Sequence, residues 1–339
     1  MSEGGRIVCF GELLLRLSAP DSQLLLQQPR LEVSYAGAEA NVAVSLARFG
    51  HRSAVVSVLP DNPLGRAARD ELRRYGVDAS GLQFRPGRMG LYFLSPGAVL
   101  RPSEITYDRA GSAFADAPAD AVDWERALDG ADWLHVSGVT PAVSPQGADA
   151  AVRAVREARR LGVKVSFDGN YRAKLWAVWN GDGPAVIRAI LEQADIAFAD
   201  DRDMALVLGR SFPGGRAERR RAAAQAAFEA FPNLQRMTST VRVQHGVDDH
   251  ELSADLFTRD GEAHAAPRRL QGVVDRIGGG DAFAAGVLHG LVSGLDDRAS
   301  LEFGLAAACL KHSVPGDFNL VGVEDVQALL AGDGLDVKR

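Results

Sequence analysis

The feature that most constrains the fold is a regular alternation of helix and strand patterns from Trp124 to Ala199. Three short apolar runs, Trp133 to Ser137, Lys164 to Asp168 and Ile196 to Ala199, are separated by stretches with helical spacing of apolar residues. Strands that are each followed by a helix pair in parallel, through right-handed crossovers. The alternation therefore predicts a mostly parallel central sheet with helices packed on it.

The flanking segments extend this pattern and add a smaller sheet. Ile7 to Phe10 predicts an opening strand and Gly37 to Phe49 a helix, while Arg236 to Gln244 predicts a late strand. Leu91 to Leu94 and Glu104 to Arg109 read as extended segments joined by a turn with Pro and Gly, and so predict strands outside the main fold.

Composition sets limits on the partners of the chain. The 339 residues are 46% apolar and carry a net charge of −6, which gives no general attraction to nucleic acid or to an anionic membrane. Met1 to Arg6 is too short for a signal peptide, and Cys9 and Cys309 lie in apolar runs typical of a core. We expect one cytoplasmic domain over residues 1–339, with lid strands from about 12–36 and 90–110. The arginine-rich stretch Arg216 to Phe231 predicts a solvated helix without a function.

Three adjacent glycines, Gly278, Gly279 and Gly280, precede Asp281 and the alanine-rich helical stretch Ala282 to Leu291. Amides at a helix N-terminus attract a phosphate, and glycines allow the anion to approach closely. Asp281 would then stand beside the phosphate and could take a proton from an incoming hydroxyl. The pattern predicts phosphoryl transfer with Asp281 as general base, although a simple helix cap at Asp281 also fits it.

Two segments resemble the signatures of the ribokinase (PfkB-type) sugar kinases. Asp275 to Phe283 resembles Asp-Thr-x-Gly-Ala-Gly-Asp-x-Phe, with Arg276 in place of Thr and Gly279 in place of Ala, and Ala36 to Ala43 resembles the N-terminal signature. The resemblance implies a ribokinase-like three-layer α/β/α fold with a small β-sheet lid. It also implies that Gly37 and Asn41 contact the sugar.

Within that family the chain is most similar to 2-keto-3-deoxygluconate kinases, through segments around Gly90, Tyr107, Asp168 and Lys311. The resemblance implies a set of substrate contacts: Tyr92, Tyr107, Arg109, Arg172 and Asp317. Arginine suits the carboxylate of a sugar acid, because its planar fork can donate two parallel hydrogen bonds. Glu12 is a further candidate for the sugar pocket. Each of these residues also has a structural interpretation, as cross-strand packing or as an ordinary salt bridge.

The family usually carries Asn-x-x-Glu where this chain has Asp200 and Asp203. The resemblance implies that these two carboxylates help to place Mg²⁺, although an N-cap role explains Asp200 as well. Ser239 and Arg242 are the candidate contacts for the phosphates of ATP, in a segment that departs from the family pattern. A monovalent cation is a further candidate cofactor, and a homodimer or higher homo-oligomer formed through the lid is a candidate assembly. The alternative functions are a kinase for a neutral sugar or nucleoside, and a regulator that binds a sugar acid.

Overall fold

A nine-stranded sheet forms the centre of the molecule, and the computed structural model describes residues 4–332. The strands in these residues are β1 (Arg6–Phe10), β2 (Leu14–Ser18), β3 (Glu32–Ala36), β4 (Arg52–Pro60), β5 (Leu82–Arg85), β6 (Leu91–Ser95), β7 (Glu104–Asp108), β8 (Trp133–Ser137), β9 (Lys164–Asp168), β10 (Ile196–Phe198), β11 (Arg236–Gln244), β12 (Asp249–Thr258) and β13 (Glu262–Gln271). The helices are α1 (Ala38–Arg48), α2 (Pro63–Arg74), α3 (Trp124–Ala127), α4 (Val139–Ala142), α5 (Pro145–Arg160), α6 (Ala173–Val178), α7 (Gly183–Leu191), α8 (Asp201–Leu208), α9 (Arg216–Ala230), α10 (Gly279–Val292), α11 (Asp297–Lys311) and α12 (Val323–Ala331).

The strand order of the large sheet is β13-β12-β11-β10-β9-β8-β1-β4-β5. Every neighbouring pair from β11 to β5 is parallel, whereas β12 and β13 are added by antiparallel hairpins. Parallel strands meet the same edge of a sheet with their carboxyl ends, so the loops that follow them converge there. The mostly parallel sheet predicted from the sequence is confirmed.

The sheet separates two apolar cores, because successive side chains of a strand point to opposite faces. On β1, Val8 and Phe10 pack with the helices α5, α7 and α9, whereas Ile7 and Cys9 pack with α1, α10 and α11. Helices therefore cover both faces, and the three-layer architecture expected from the resemblance is confirmed.

A second sheet of four strands, in the order β3-β2-β6-β7, forms the lid. Its strands fall within the two predicted stretches, and β2 pairs with β3 antiparallel and with β6 parallel. The alternation of side chains places Leu14, Arg16 and Ser18 on one face of this sheet. Leu14 and Arg16 each line a cavity beneath it.

The sequence did not predict strand β13, and it misjudged part of α9. β13 carries several charged residues and Pro267, which are tolerated because it is the last strand of the sheet and leaves one side unpaired. α9 was expected to be solvated, but its alanines pack into the core and Arg220 is 3% exposed. Arg220 forms a salt bridge of 3.0 Å with Asp255, which compensates its burial.

The cysteines lie where the sequence predicts them. Cys9 and Cys309 are both buried and unpaired, as expected of core residues. Among residues 4–332, we find no helix with the length and apolar character that crossing a membrane requires.

Candidate active site

A cavity of about 530 Å³ lies between the lid and the start of α10. Most of the residues predicted to contact substrate or phosphate line this main cavity: Gly37, Asn41, Tyr92, Tyr107, Arg109, Arg172, Arg242, Gly278, Gly280, Asp281 and Asp317. Residues far apart in the chain thus meet in one place. Glu12, Gly279, Asp200, Asp203 and Ser239 are not among the lining residues.

At the start of the glycine run, a residue with a side chain would be strained or would clash with its neighbours. Gly278 has φ +80° and is the N-cap of α10, and a Cβ there would lie 2.1 Å from the backbone oxygen of Asp317. A Cβ on Gly279 would lie 2.8 Å from Cε1 of His312. Gly280 faces open space, since a Cβ there would meet nothing within 4 Å. The first turn of α10 therefore offers accessible amides at the positive end of a 14-residue helix.

Asp281 lies in the first turn of α10 and is 9% exposed. Burial raises its pKa to about 7, although Nδ2 of Asn41 donates to its Oδ2 over 2.6 Å. Oδ1 of Asn41 is buried and accepts no hydrogen bond. Asn41 thus orients the carboxylate of Asp281 and retains a free acceptor for a bound hydroxyl.

Asp168 is a residue that the sequence interpretation missed. It ends strand β9 and lines the main cavity. Burial raises its pKa well above the usual range, and the nearby carboxylates of Asp281 and Asp203 raise it further. Asn170, in the loop that follows, also lines the cavity. Their position directly after a predicted parallel strand was the signal that could have identified both.

Glu12 and Arg109 form a buried ion pair beside the main cavity. Nε of Arg109 donates to Oε2 of Glu12 over 2.6 Å, and the hydroxyl of Ser112 donates to Oε1 over 2.5 Å. Both carboxylate oxygens of Glu12 are therefore engaged within the protein. Glu12 was expected to contact the sugar, but here it holds Arg109, which itself lines the cavity.

Tyr92 and Asp317 were both expected to contact substrate, and they also contact each other. The Tyr92 hydroxyl lies 2.9 Å from Oδ1 and 2.8 Å from Oδ2 of Asp317. Nη1 of Arg16 donates to Oδ1 over 2.9 Å. This contact joins the lid strands β2 and β6 to the loop that follows α11.

Three of the four arginines that line the main cavity form no salt bridge within the described residues. Within residues 4–332, Arg172, Arg242 and Arg276 form no salt bridge, and the hydrogen bond of the Arg172 side chain is a long one of 3.4 Å to the Tyr171 carbonyl. Partial burial lowers the pKa of Arg242, and the positive charge of Arg276 lowers it further. Arg172 lies near the carboxylates of Asp168 and Asp281, whereas Arg242 and Arg276 repel each other, so the part of the cavity beside these two arginines suits a ligand with several negative charges. Arg276 was noted in the sequence only as a departure from the family signature.

Asp200 and Asp203 form the N-terminal capping box of α8. The Asp200 carboxylate accepts from the backbone of Arg202 and Asp203, and the Asp203 carboxylate accepts from the backbone of Asp200. Asp200 also pairs with the Arg202 guanidinium at 2.6 Å. Asp200 borders a second cavity, of about 250 Å³, which shares Arg242 with the main cavity.

The Ser239 side chain contacts Arg220 rather than either cavity. The Arg220 guanidinium donates to the Ser239 hydroxyl and, over 2.9 Å, to its carbonyl oxygen. The next residue of β11, Thr240, lines the second cavity instead.

The acidic residues near the main cavity offer oxygen ligands of the kind that Mg²⁺ prefers. In the described part of the chain, no three His, Cys, Asp or Glu side chains are arranged to hold one by themselves. Burial and the charge of Asp200 raise the pKa of Asp203 to about 6. The pKa of Asp168 is raised by burial and by its acidic neighbours. This donor set fits a Mg²⁺ ion that takes its other ligands from substrate phosphates and water.

The sequence and the fold were compared with those of known proteins. The model of the pfkB family carbohydrate kinases matches residues 5–320. A 2-dehydro-3-deoxygalactonokinase from Haloferax volcanii is 33% identical over 333 residues, which are 98% of this chain and 99% of that protein. A 2-dehydro-3-deoxygluconokinase from Bacillus subtilis is 29% identical over 322 residues, which are 92% of this chain and 91% of that protein.

The fold is similar to that of a solved kinase. The crystal structure of a 2-dehydro-3-deoxygluconokinase from Thermotoga maritima has a TM-score of 0.91 to this chain at 37% identity, and it covers 97% of this chain and 100% of that one. The family match covers residues 5–320, nearly the whole length of the described residues. The chain therefore belongs to the pfkB family of carbohydrate kinases.

Proposed function

We propose that this kinase transfers the γ-phosphate of ATP to the 6-hydroxyl of a 2-keto-3-deoxy sugar acid. One observation carries the proposal. The buried carboxylate of Asp281 stands at a glycine-lined helix start, in a cavity that also holds Arg172, Arg242 and Arg276, none of which forms a salt bridge within the described residues. A general base, an anion site and arginines able to bind phosphate and carboxylate are the parts that phosphoryl transfer to an acidic acceptor requires.

The acceptor carboxylate is proposed to bind to Arg172 and Arg109. Arg172 has its guanidinium free for a fork-like contact, and Arg109 is fixed in place by Glu12. The two relatives named above act, by their names, on the galacto and gluco forms of 2-dehydro-3-deoxy acids. These acids differ only in the configuration at C4, so both are candidate substrates.

Asp281 is proposed to accept the proton of the attacking hydroxyl. Its place in the first turn of α10 puts the carboxylate next to the amides that would stabilise the transferring phosphoryl group. The Asn41 side chain holds one carboxylate oxygen, and its own free Oδ1 is available to a sugar hydroxyl. Gly37, with φ +152°, allows the chain to turn sharply into α1 beside this site.

The phosphates of ATP are proposed to lie along Gly278, Gly280, Arg276 and Arg242. Arg242 borders both cavities, so the chain of phosphates can extend from the main cavity toward the second one. Asp200 and Asp203, with Asp168 nearby, would hold Mg²⁺ together with water and the phosphates. When bound, the ion would neutralise charge on the phosphates and help to align them.

Direct measurement of ADP release from Mg-ATP against a panel of acceptors tests the proposal. The panel contains 2-keto-3-deoxygluconate, 2-keto-3-deoxygalactonate, 5-keto-2-deoxygluconate, fructose, ribose and adenosine. We expect turnover with one or both of the 2-keto-3-deoxy acids, and at least 100-fold lower kcat/KM with the neutral acceptors, because a site built for a carboxylate loses about 3 kcal/mol when that group is missing. Efficient turnover with a neutral acceptor alone, or no turnover with any, would contradict the proposal.

A carboxylate-specific control sharpens the panel. We expect Arg172→Met to raise KM for the preferred acid at least tenfold while leaving turnover of a neutral sugar, however slow, unchanged. Arg153, on the surface of α5, offers a matched Arg153→Met control that should leave both values as they were.

A further inference from the structure

Glu39 is a buried acid that the proposed reaction does not use. It lies in the first turn of α1, within the signature Ala36 to Ala43, and is 2% exposed. It is not among the residues that line the main cavity, whereas its neighbours Ala38 and Asn41 are. A carboxyl group that is removed from water costs free energy unless hydrogen bonds compensate for the loss, so its place in this helix calls for an explanation.

One oxygen of the Glu39 carboxylate accepts three hydrogen bonds from the end of β8 and the helix after it. The amide and the hydroxyl of Ser137 each donate to Oε1 over 2.8 Å, and the hydroxyl of Thr140 donates to the same atom over 2.7 Å. Burial raises the pKa of Glu39, and these hydrogen bonds act against the rise. Thr140 follows Val139, which lines the main cavity. The carboxylate thus ties the first turn of α1 to the wall of this cavity.

The other oxygen of Glu39 lies against the end of β1. Oε2 occupies the position that a Cβ of Gly11 would take, and Oγ1 of Thr140 is 2.6 Å from that position. Gly11 directly follows β1, and its lack of a side chain lets the carboxylate approach the backbone there. Because β1 and β8 are neighbours in the sheet, Glu39 joins the first turn of α1 to the carboxyl ends of both strands.

The opposite side of the same helical turn faces the reacting groups. Successive residues of a helix are rotated by about 100°, so Glu39 and Asn41 point in nearly opposite directions. Nδ2 of Asn41 donates to Oδ2 of Asp281 over 2.6 Å, and the amide of Asn41 donates to the carbonyl of Gly37 over 2.7 Å. One side of the turn is therefore anchored in the sheet, and the other side holds the proposed base.

We propose that Glu39 is a positioning residue for the general base. By anchoring the first turn of α1 to the ends of β1 and β8, Glu39 fixes the Asn41 side chain, and Asn41 in turn holds the carboxylate of Asp281. Loss of the anchor leaves the base present but poorly oriented, which lowers kcat more than it raises KM. This inference rests on the proposed function.

A double-mutant cycle tests whether Glu39 acts through Asn41. The kcat for the preferred sugar acid is measured for the parent, Glu39→Ala, Asn41→Ala and the variant with both changes. We expect Glu39→Ala to lower kcat at least tenfold in the parent but less than twofold in the Asn41→Ala background, because the link to Asp281 is already broken there. An equal loss in both backgrounds, or a Glu39→Ala variant with the kcat of the parent, would overturn the inference.

Two further variants separate positioning from general damage. Glu39→Gln keeps an acceptor oxygen for Ser137 and Thr140, and we expect its kcat to lie within threefold of the parent; a kcat as low as that of Glu39→Ala would count against the anchor. Glu125→Ala is the matched control and should have the kcat of the parent, because Glu125 also lies in the first turn of a helix, α3, but its side chain is 71% exposed.

Loss of the buried carboxylate could also unfold the protein. If Glu39→Ala melts below the assay temperature, Ser137→Ala combined with Thr140→Val takes its place in the cycle. This pair removes two of the three donors to Oε1 and leaves the acid in position. We expect the same tenfold loss of kcat in the parent and the same near-absence of a loss in the Asn41→Ala background, and equal losses would again overturn the inference.

A structural measurement separates this inference from the proposed function. Crystal structures of the parent and of the variant used in the cycle give the distance from Nδ2 of Asn41 to Oδ2 of Asp281, which is 2.6 Å here. We expect it to exceed about 3.5 Å in the variant, beyond the range of a hydrogen bond. A variant that retains the contact would overturn the role of Glu39, whether or not the enzyme is active. A parent that phosphorylates no sugar acid would overturn the proposed function instead, and the crystallographic comparison would still decide the role of Glu39.

Discussion

Asp281 is the side chain whose chemical state controls the proposed reaction. Burial raises its pKa to about 7. At neutral pH the Asp281 carboxyl is therefore protonated in about half of the free enzyme molecules. A protonated carboxyl cannot accept the hydroxyl proton. The environment that prepares this base therefore also limits the pH range in which it works.

The titration of Asp281 should appear in the pH profile of kcat/KM. Below a pKa of about 7, kcat/KM should fall tenfold for each unit of pH, and above it kcat/KM should reach a plateau. ADP is best quantified by chromatography, which avoids coupling enzymes with pH dependences of their own. A profile that stays flat from pH 5 to pH 8 would contradict the assignment of Asp281 as the base.

The second prediction concerns stability. Because the folded-state pKa of Asp281 lies above that of the unfolded chain, its contribution to stability is complete at low pH and is lost as pH rises through about 7. Asp281→Asn removes this loss, so its melting temperature should exceed that of the parent at pH 8, and the gain should shrink toward pH 5. Thermal unfolding of both proteins at the two pH values measures it, and a variant that is less stable at pH 8 would refute the linkage.

Two of the candidate residues that line the main cavity lie in local motifs. Asp281 follows its glycines directly, and Asn41 lies in the N-terminal signature, so both could be identified. Glu12 was assigned to the sugar, because nothing local shows that Arg109, 97 residues away, takes its carboxylate. Ion pairs of this kind depend on tertiary contacts, which a single sequence does not display.

At the start of the helix α10, a strained backbone lies next to the amides that are proposed to bind phosphate. Gly278 has a left-handed backbone in contact with Asp317, whereas Gly280 is helical and faces open space. The strand β11 was predicted with its observed ends, but β13 was not, since its charged residues and Pro267 are acceptable only at a sheet edge. The position of a strand in the sheet is tertiary information.

A pair of glycine variants tests this element. Gly278→Ala should destabilise the protein by about 1–3 kcal/mol through the strained backbone alone. The clash of the new Cβ with the backbone oxygen of Asp317 should add to this loss. Gly280→Ala is the matched control for folding, and it should keep the melting temperature of the parent within about 2 °C, because its Cβ meets no neighbour. Chemical denaturation of both variants provides the comparison. Equal stability of the two would show that the loop is less constrained than its geometry indicates.

At the scale of the molecule, the lid has a second face with apolar residues. Leu17 pairs in register with Val33 on one side and Phe93 on the other, on the face opposite Arg16, and Val33 is 62% exposed. Exposed apolar rows on a sheet are typical of interaction surfaces. The parallel sheet followed from the helix and strand alternation and the three-layer architecture from the family resemblance, but neither shows which sheet faces remain uncovered.

We predict that the lid mediates a homodimer through this apolar row. Light scattering after size-exclusion chromatography should give about twice the mass of one chain, and Val33→Asp should reduce it to one chain, because two buried carboxylates would face each other across a symmetric contact. Arg153→Met, on the surface of α5 and away from the lid, serves as a control with an unchanged mass. A parent that elutes as a monomer at micromolar concentration would contradict the prediction.

Asp281 is proposed to act as the base of phosphoryl transfer, and replacing its carboxylate by an amide tests this role. Single-turnover ADP formation is measured for the parent and for Asp281→Asn with the preferred sugar acid, alongside the Kd of that acid for both proteins. We predict a rate that is lower by about 10²–10⁴-fold in the variant, with Kd within threefold of the parent. A variant that turns over at nearly the rate of the parent would contradict the account.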